Sequence, residues 1–353
     1  MSLLTCGVGD ELYASFGHAG LRVVDSAAGT DLVYNYGTFN GFEENFEIKF
    51  MRGKLLYYLA QEPFLEFLPT YISEGRSVQE QVLILPDESK QAILAFLEHN
   101  LQPENRAYKY DFLYDNCATR LRDILPQSLG SGFQFGEVLP AGSKLTFRQT
   151  IDRYLATKHW ERFGIDLLLG SPVDRRMDNM TAQYLPNYLR VGLANASFQG
   201  QKVAEKPVVL LPQSQTLKDN PVNGPLLLTL GLLLLTAVLW SLPTLRSTAI
   251  VFTRVYLFII GLLGSLMLFM WLGTDHQACQ RNWNILWALP FGVLAPFLGR
   301  AKLKSYSLFA LILLPVALLV HVSQLQGLPL LEIWPLLLSL AWCYGMIYRT
   351  SHS

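Results

Sequence analysis

Net charge, paired cysteines and, past residue 219, charge of either sign are what this 353-residue chain has least of. Its 28 Lys and Arg balance 28 Asp and Glu. A nucleic-acid partner calls for a basic excess to neutralise phosphates, and none is present. The cysteines are Cys6, Cys117, Cys279 and Cys343, with no pair at zinc-site spacing. No metal and no organic cofactor is expected. A Cys6–Cys117 disulfide stays open for an oxidising compartment. The start, MSLLTCGVGD, has neither the basic head nor the apolar core of a signal peptide. Leu3-Leu4-Thr5-Cys6 only faintly resembles a lipoprotein cleavage box. An exported domain needs such a segment, so the expectation is that the true start lies upstream. There are no internal repeats.

The charge is concentrated before residue 220, and 220–350 is overwhelmingly apolar. The division expected is a soluble domain over 1–200, a linker over 201–223 and a membrane domain over 224–350. Five apolar stretches fall at about 225–242, 253–272, 284–298, 306–322 and 329–348. A helical span needs roughly 20 mostly apolar residues. The third stretch is short and holds Pro290 and Pro296, which implies a tilted, kinked or re-entrant segment. Arg246 and Arg254 follow the first stretch, Arg300, Lys302 and Lys304 the third, and Arg349 the fifth. The remaining loops hold only Arg281. With five crossings all those basic positions share one side, which is the cytoplasm by the positive-inside rule. The soluble half then faces the periplasm of a bacterial inner membrane; the alternative is a cytoplasmic domain.

In the soluble half, GLRVVD (20–25) and DLVYNYG (31–37) read as strands joined by a short turn, and RSVQEQVLIL (76–85) alternates as a strand does. PDESKQAILAFLEHNL (86–101) is the clearest helix, with Ile93, Phe96, Leu97 and Leu101 in one stripe. CATRLRDIL (117–125) is a second helix, and 146–170 one or two more. The class is α+β, helices on a small antiparallel sheet.

YDNCATRLRD (114–123) places a cysteine where a loop becomes a helix. Asn116 is a good N-cap, which puts Cys117 at the first helical position. Unpaired backbone amides and the helix dipole stabilise a thiolate there, and the same amides can donate to a developing oxyanion. Arg120 and Arg122 add positive potential. A buried structural cysteine needs none of this. A thiolate nucleophile also needs a base. Of the soluble-half histidines, His99 and His159 read as surface residues. His18, in SFGHAGLRVVD, is flanked by Gly17 and Gly20, which let backbone or substrate come close. For the group that orients the imidazole, Asn35 follows from strand adjacency, with Asp166 as alternative and Asp25 and Asp115 weaker. In the loop 273–290, Asp275, His276, Arg281, Asn282 and Asn284 gather near the membrane surface, beside Trp283 and Trp287 of an interfacial belt. Contact with a lipid headgroup or substrate is expected of His276, Arg281, Asn282 and Asn284.

The segments LLTCGVGDELYASFGHAGLRV, DLVYNYGTF, EGRSVQEQVL, ENRAYKYDFLYDNCATRLRDIL and FGIDLLLGSPVDRRM together resemble the DUF4105, or Lnb-type, family over most of residues 3–177. The resemblance implies a circularly permuted papain-like domain akin to NlpC/P60 and LRAT folds. It also implies that His18 is the base and Cys117 the nucleophile, and that the protein takes part in lipoprotein N-acylation. The activity expected is then acyl transfer through a Cys117 thioester, from a lipid acyl donor to the terminal amine of a bacterial lipoprotein. The alternatives are a cysteine peptidase or amidase acting on cell-wall peptide, and a non-catalytic envelope scaffold.

Overall fold

The computed structural model describes residues 1–218 and 220–350. Contacts divide the chain into Met1–Phe147 with Arg176–Lys218, and Arg148–Arg175 with Asp219–Ser353. The chain therefore passes between the two units at three places, not at one linker.

The first unit is built on an antiparallel sheet. Its strands are β1 (Ser2–Cys6), β2 (His18–Asp25), β3 (Thr30–Thr38), β4 (Leu56–Pro63), β5 (Val78–Val82) and β6 (Ala107–Lys109), with short β7 (Phe133–Gln134), β8 (Ser197–Phe198) and β9 (Gln201–Lys202) forming a separate ribbon, and β10 (Val208–Leu211). The main sheet has seven strands in the order β10-β5-β1-β2-β3-β4-β6. It is larger than the sequence implied because β1 lies inside it, between β5 and β2, and β10, within the expected linker, extends its edge. The helices of this unit are α1 (Phe46–Met51), α2 (Phe64–Ser73), α3 (Asp87–Leu101) and α4 (Cys117–Leu129), with α7 (Pro186–Ala194) after an excursion into the second unit.

Side-chain alternation divides the core between the two faces of the sheet. Leu3, Leu21, Tyr34 and Tyr36 pack with Ile93 and Leu97 of α3, Leu121, Ile124 and Leu125 of α4, and Leu189 and Leu193 of α7. Leu4, Cys6 and Val33 turn the other way, against Phe64, Phe67 and Tyr71 of α2. Each buried Leu or Ile contributes about 1.5–3 kcal/mol. The burial of α4 on this sheet therefore fixes where its first residue, Cys117, sits.

The second unit holds α5 (Phe147–Tyr154, from Arg148), α6 (His159–Leu168), and the long α8 (Gly224–Ser241), α9 (Arg246–Leu272), α10 (Arg300–Val322) and α11 (Leu330–Thr350). Among the described residues four helices are long and apolar enough to cross a membrane. They take up the first, second, fourth and fifth apolar stretches. The third is not an α-helix. It forms 3-10 turns over Trp283–Leu286 and Pro290–Phe297, because its prolines interrupt helical hydrogen bonding. Glycine makes this tolerable: a Cβ on Gly264 would lie 1.8 Å from the Ala288 carbonyl oxygen, and one on Gly261 2.3 Å from the Val293 nitrogen. Arg254 donates through Nη1 to the carbonyls of Ala295 (2.8 Å), Pro296 (3.1 Å) and Leu298 (2.9 Å). Irregular backbone in a membrane protein survives only where protein satisfies it, and this side chain does so.

The segment 148–175 is bound into the same unit. Arg148 donates to Asp166 (2.7 Å), Asp174 (2.9 Å) and the Leu169 carbonyl (3.1 Å). Arg162 pairs with the buried Glu332 of α11. Gly170 N donates to Ala278 O at 2.9 Å, and a Cβ on Gly170 would fall 1.8 Å from Gln280 O.

Candidate active site

Three elements meet where β2 begins and β3 ends. His18 opens β2, opposite Cys6 of β1. Gly17 before it has φ +77°, and a Cβ there would lie 2.7 Å from the Cys6 carbonyl oxygen. Glycine alone allows this entry into the strand. On β3 the pairing with β4 slips between Asn35 and Thr38, and Gly37 within that bulge has φ +92°. Bulges re-aim side chains. A Cβ on Gly37 would meet Cys117 Cβ at 3.8 Å and the Tyr110 ring at 3.6 Å, ordinary contact, so it is the positive φ that calls for glycine beside the Cys117 helix.

Asn116 caps α4 as its type predicts. Its Oδ1 accepts from Ala118 N (2.8 Å) and Thr119 N (3.0 Å), and its Nδ2 donates to the carbonyls of Phe112 (2.7 Å) and Tyr184 (3.0 Å). Thr119 Oγ1 accepts from Asn116 N in return, at 2.7 Å. Cys117 is thus held at the first helical position by a fully engaged capping box.

The structure brings Cys117, His18 and Asn35 together. Asn35 Nδ2 donates to Glu62 Oε1 at 3.3 Å, which turns its Oδ1 to His18 Nε2 at 2.5 Å. A carbonyl oxygen accepts, so His18 carries its proton on Nε2, and Nδ1 is the atom free to take one. The imidazole and the Cys117 thiol act on one another's charge, each favouring the ionised form of the other. The backbone amides of Ala19 and Ala118 add hydrogen-bonding stabilisation of the thiolate. Burial by itself would raise the thiol pKa, but the His18 charge and these hydrogen bonds outweigh it and lower it. Burial would likewise lower His18, yet the thiolate charge and the bonds to Cys117 and Asn35 raise it. Both shifts favour a thiolate–imidazolium pair. Cys6 differs: burial outweighs the Tyr71 hydroxyl and the Arg76 charge, and its thiol is pushed up to about 12. All four cysteines are unbridged, including Cys6 and Cys117.

The other sequence candidates lie elsewhere. Arg120 forks onto Asp115 and stacks over the Tyr108 ring at 4.0 Å. Arg122 pairs with Asp123. Their charge is spent on these partners. Asp25 caps the β2–β3 turn by accepting from Ala27 and Ala28 amides. Asp166 belongs to the second unit, ion-paired with Arg148. His99 meets Asn105, and His159 the Asn220 carbonyl. Asn282 and Asn284 are both 0 % exposed. Asn282 Nδ2 donates to the carbonyls of Leu167 (2.8 Å) and Leu168 (3.0 Å), and Asn284 Nδ2 to Leu167 O (3.1 Å). Their amides are committed to the chain itself. Arg281 is exposed and His276 half-buried. Sequence reasoning missed Gly37, Glu62 and the Ala19 amide. Only Gly37, a glycine ending a strand pattern, left a trace in the sequence.

Residues 1–153 match the family model of the Lnb N-terminal periplasmic domain, and residues 217–353 that of the Lnb transmembrane domain. No curated protein and no solved structure matches the chain. With an α+β unit first and apolar helices of spanning length after it, the chain belongs to the Lnb-type family as a multi-pass inner-membrane protein with a periplasmic amino-terminal domain.

Proposed function

We propose that this protein is a membrane-bound thiol acyltransferase that moves an acyl chain from a lipid ester to the terminal amine of a lipoprotein. The observation that carries the reading is the Asn35–His18 bond at the start of β2, beside a Cys117 that opens a capped helix and whose pKa the His18 charge lowers. Cys117 Sγ, its proton held on His18 Nδ1, attacks the ester carbonyl carbon. The tetrahedral oxyanion collapses, the C–O bond breaks, and the leaving alkoxide takes the proton from His18. A thioester remains. The incoming amine attacks it, gives a proton to His18, and the C–S bond breaks to an amide and the thiolate. Asn35 keeps the imidazole in the productive tautomer. The order of His before Cys, with the Cys at a helix start against an antiparallel sheet, supports a permuted papain-like arrangement. Within the 273–290 loop we assign headgroup contact to Arg281 and His276, and a positioning role to Asn282 and Asn284.

A second reading, hydrolysis of cell-wall peptide, draws on the same Cys–His–Asn set, which serves peptidases equally well. The deciding experiment incubates purified protein with phospholipid and follows Cys117 by mass spectrometry, then adds an amine acceptor. An acyl adduct that passes to the amine is expected. Donor consumption without any adduct on Cys117 sinks the acyl-transfer reading, and release as free acid alone favours the hydrolase.

A further inference from the structure

The chain between β3 and β4 carries an apolar surface that nothing in its unit covers. Phe42 is 100 % exposed, Phe50 53 % and Ile48 52 %, with Phe39 and Met51 also exposed. Helix α1, which bears three of these, has no buried residue. A six-residue helix with no buried residue is marginal in water. Clustered exposed aromatics of this kind mark a binding surface.

The same surface runs inward as a row of rings. Phe50 and Phe46 stack with centroids 6.2 Å apart, Phe46 and Phe39 lie at 5.6 Å, Phe39 and Tyr57 at 5.4 Å, and Tyr57 and Tyr110 at 4.5 Å. Tyr110 borders Gly37, beside Cys117. The row joins the exposed face to the nucleophile without a charged side chain in it. Arg52 and Lys54, both exposed, follow the end of α1, where headgroup phosphates would meet them.

We propose that α1 and the loop 39–45 form the entry for the acyl chain of a bilayer lipid, and that the aromatic row leads that chain to Cys117. The occupant is a lipid because the chain is anchored in a bilayer, the face is aromatic and aliphatic with Arg52 and Lys54 past its end and Glu44 and Glu47 exposed beside it, and the row is contiguous with the thiol. The proposal rests on the acyl-transfer reading, and its test separates the two. Full-length protein carrying Cys117→Ser and Phe42→benzoylphenylalanine is placed in vesicles of phosphatidylethanolamine and phosphatidylglycerol and irradiated. A phospholipid mass adduct at position 42, and none when the photoprobe stands at Glu88, is expected whether or not the thiol reacts. No lipid adduct at 42, or a crosslinked dimer in its place, overturns the proposal. In the otherwise native protein, Phe42→Ser with Phe50→Ser should slow Cys117 acylation from vesicles by at least about tenfold. Acylation by the soluble p-nitrophenyl acetate should be unchanged. An equal loss with both donors, or none with either, overturns the entry face. If wild-type Cys117 takes an acyl group from neither donor, the acyl-transfer reading fails, and the photo-adduct still decides whether the face binds lipid.

Discussion

Two clusters of polar residues in this molecule look alike in the sequence and do opposite things in the fold. Around Cys117, an imidazole and two backbone amides favour the charge on one side-chain atom, while Asn35 holds the imidazole. Around Asn282 and Asn284, side-chain amides converge on the backbone carbonyls of residues 167 and 168. The first leaves a sulfur with a depressed pKa. The second spends its side-chain amides on the backbone. What separates chemistry from scaffolding is the atom the polar groups point at, and that atom is fixed by tertiary contact.

The largest expected effect tests the first cluster. Cys117→Ala and His18→Ala should each lower acyl transfer by at least about a thousandfold, and the double variant should be no worse than either, since members of one catalytic unit are non-additive. Circular dichroism melts should stay near wild type. Transfer surviving in either single variant would remove the contrast between the clusters. Asn35→Ala should cost less, about ten- to a hundredfold in rate, because the imidazole loses its orienting partner and one of the bonds that raise its pKa but keeps Cys117 beside it. A rate equal to wild type would mean Glu62 and Asn35 only brace the strand.

The second cluster should respond in stability instead. Asn282→Ala takes the partner from the Leu168 carbonyl, while Asn284 still reaches Leu167, and should cost about 1–3 kcal/mol, read as a lower melting temperature of the detergent-solubilised protein. Alkylation of Cys117 by iodoacetamide should proceed at the wild-type rate. A slowed alkylation with an unchanged melt would reverse the assignment. The smallest effect is a pH shift. A depressed thiol pKa means the thiolate persists below the ordinary range near 8.5, so alkylation rate against pH should have its midpoint under that value. His18→Gln removes the cation and leaves the burial, so the midpoint should move above it. A midpoint that stays put would mean the helix amides alone hold the thiolate.

Much of this was legible beforehand for local reasons. Asn116 caps and Cys117 starts a helix because the chemistry of capping involves only a few neighbouring residues. Asn35 reaches His18 because adjacent antiparallel strands bring them together. The missing parts depend on both faces of an element at once. Strand β1 is buried on both faces, so Ser2–Cys6 shows no alternation to read. Strand β10, four residues between polar and proline-containing stretches, looked like linker until its pairing with β5 was seen. The third apolar stretch gave away its prolines but not its partner, since the fit of Gly261 and Gly264 against its backbone involves residues far apart in sequence. The polar loop at 273–290 advertised composition and hid direction.

The excursion 148–175 bears on how such a protein can be inherited. Because the chain enters the membrane unit at Arg148, leaves it at Arg175 and returns after Lys218, no single genetic junction exchanges one whole unit for another. A recombination at residue 218 would bring in new spans against an old 148–175, with Arg162 facing a stranger in place of Glu332. The two units must be passed on together, and changes on either side of that contact should arise as matched pairs.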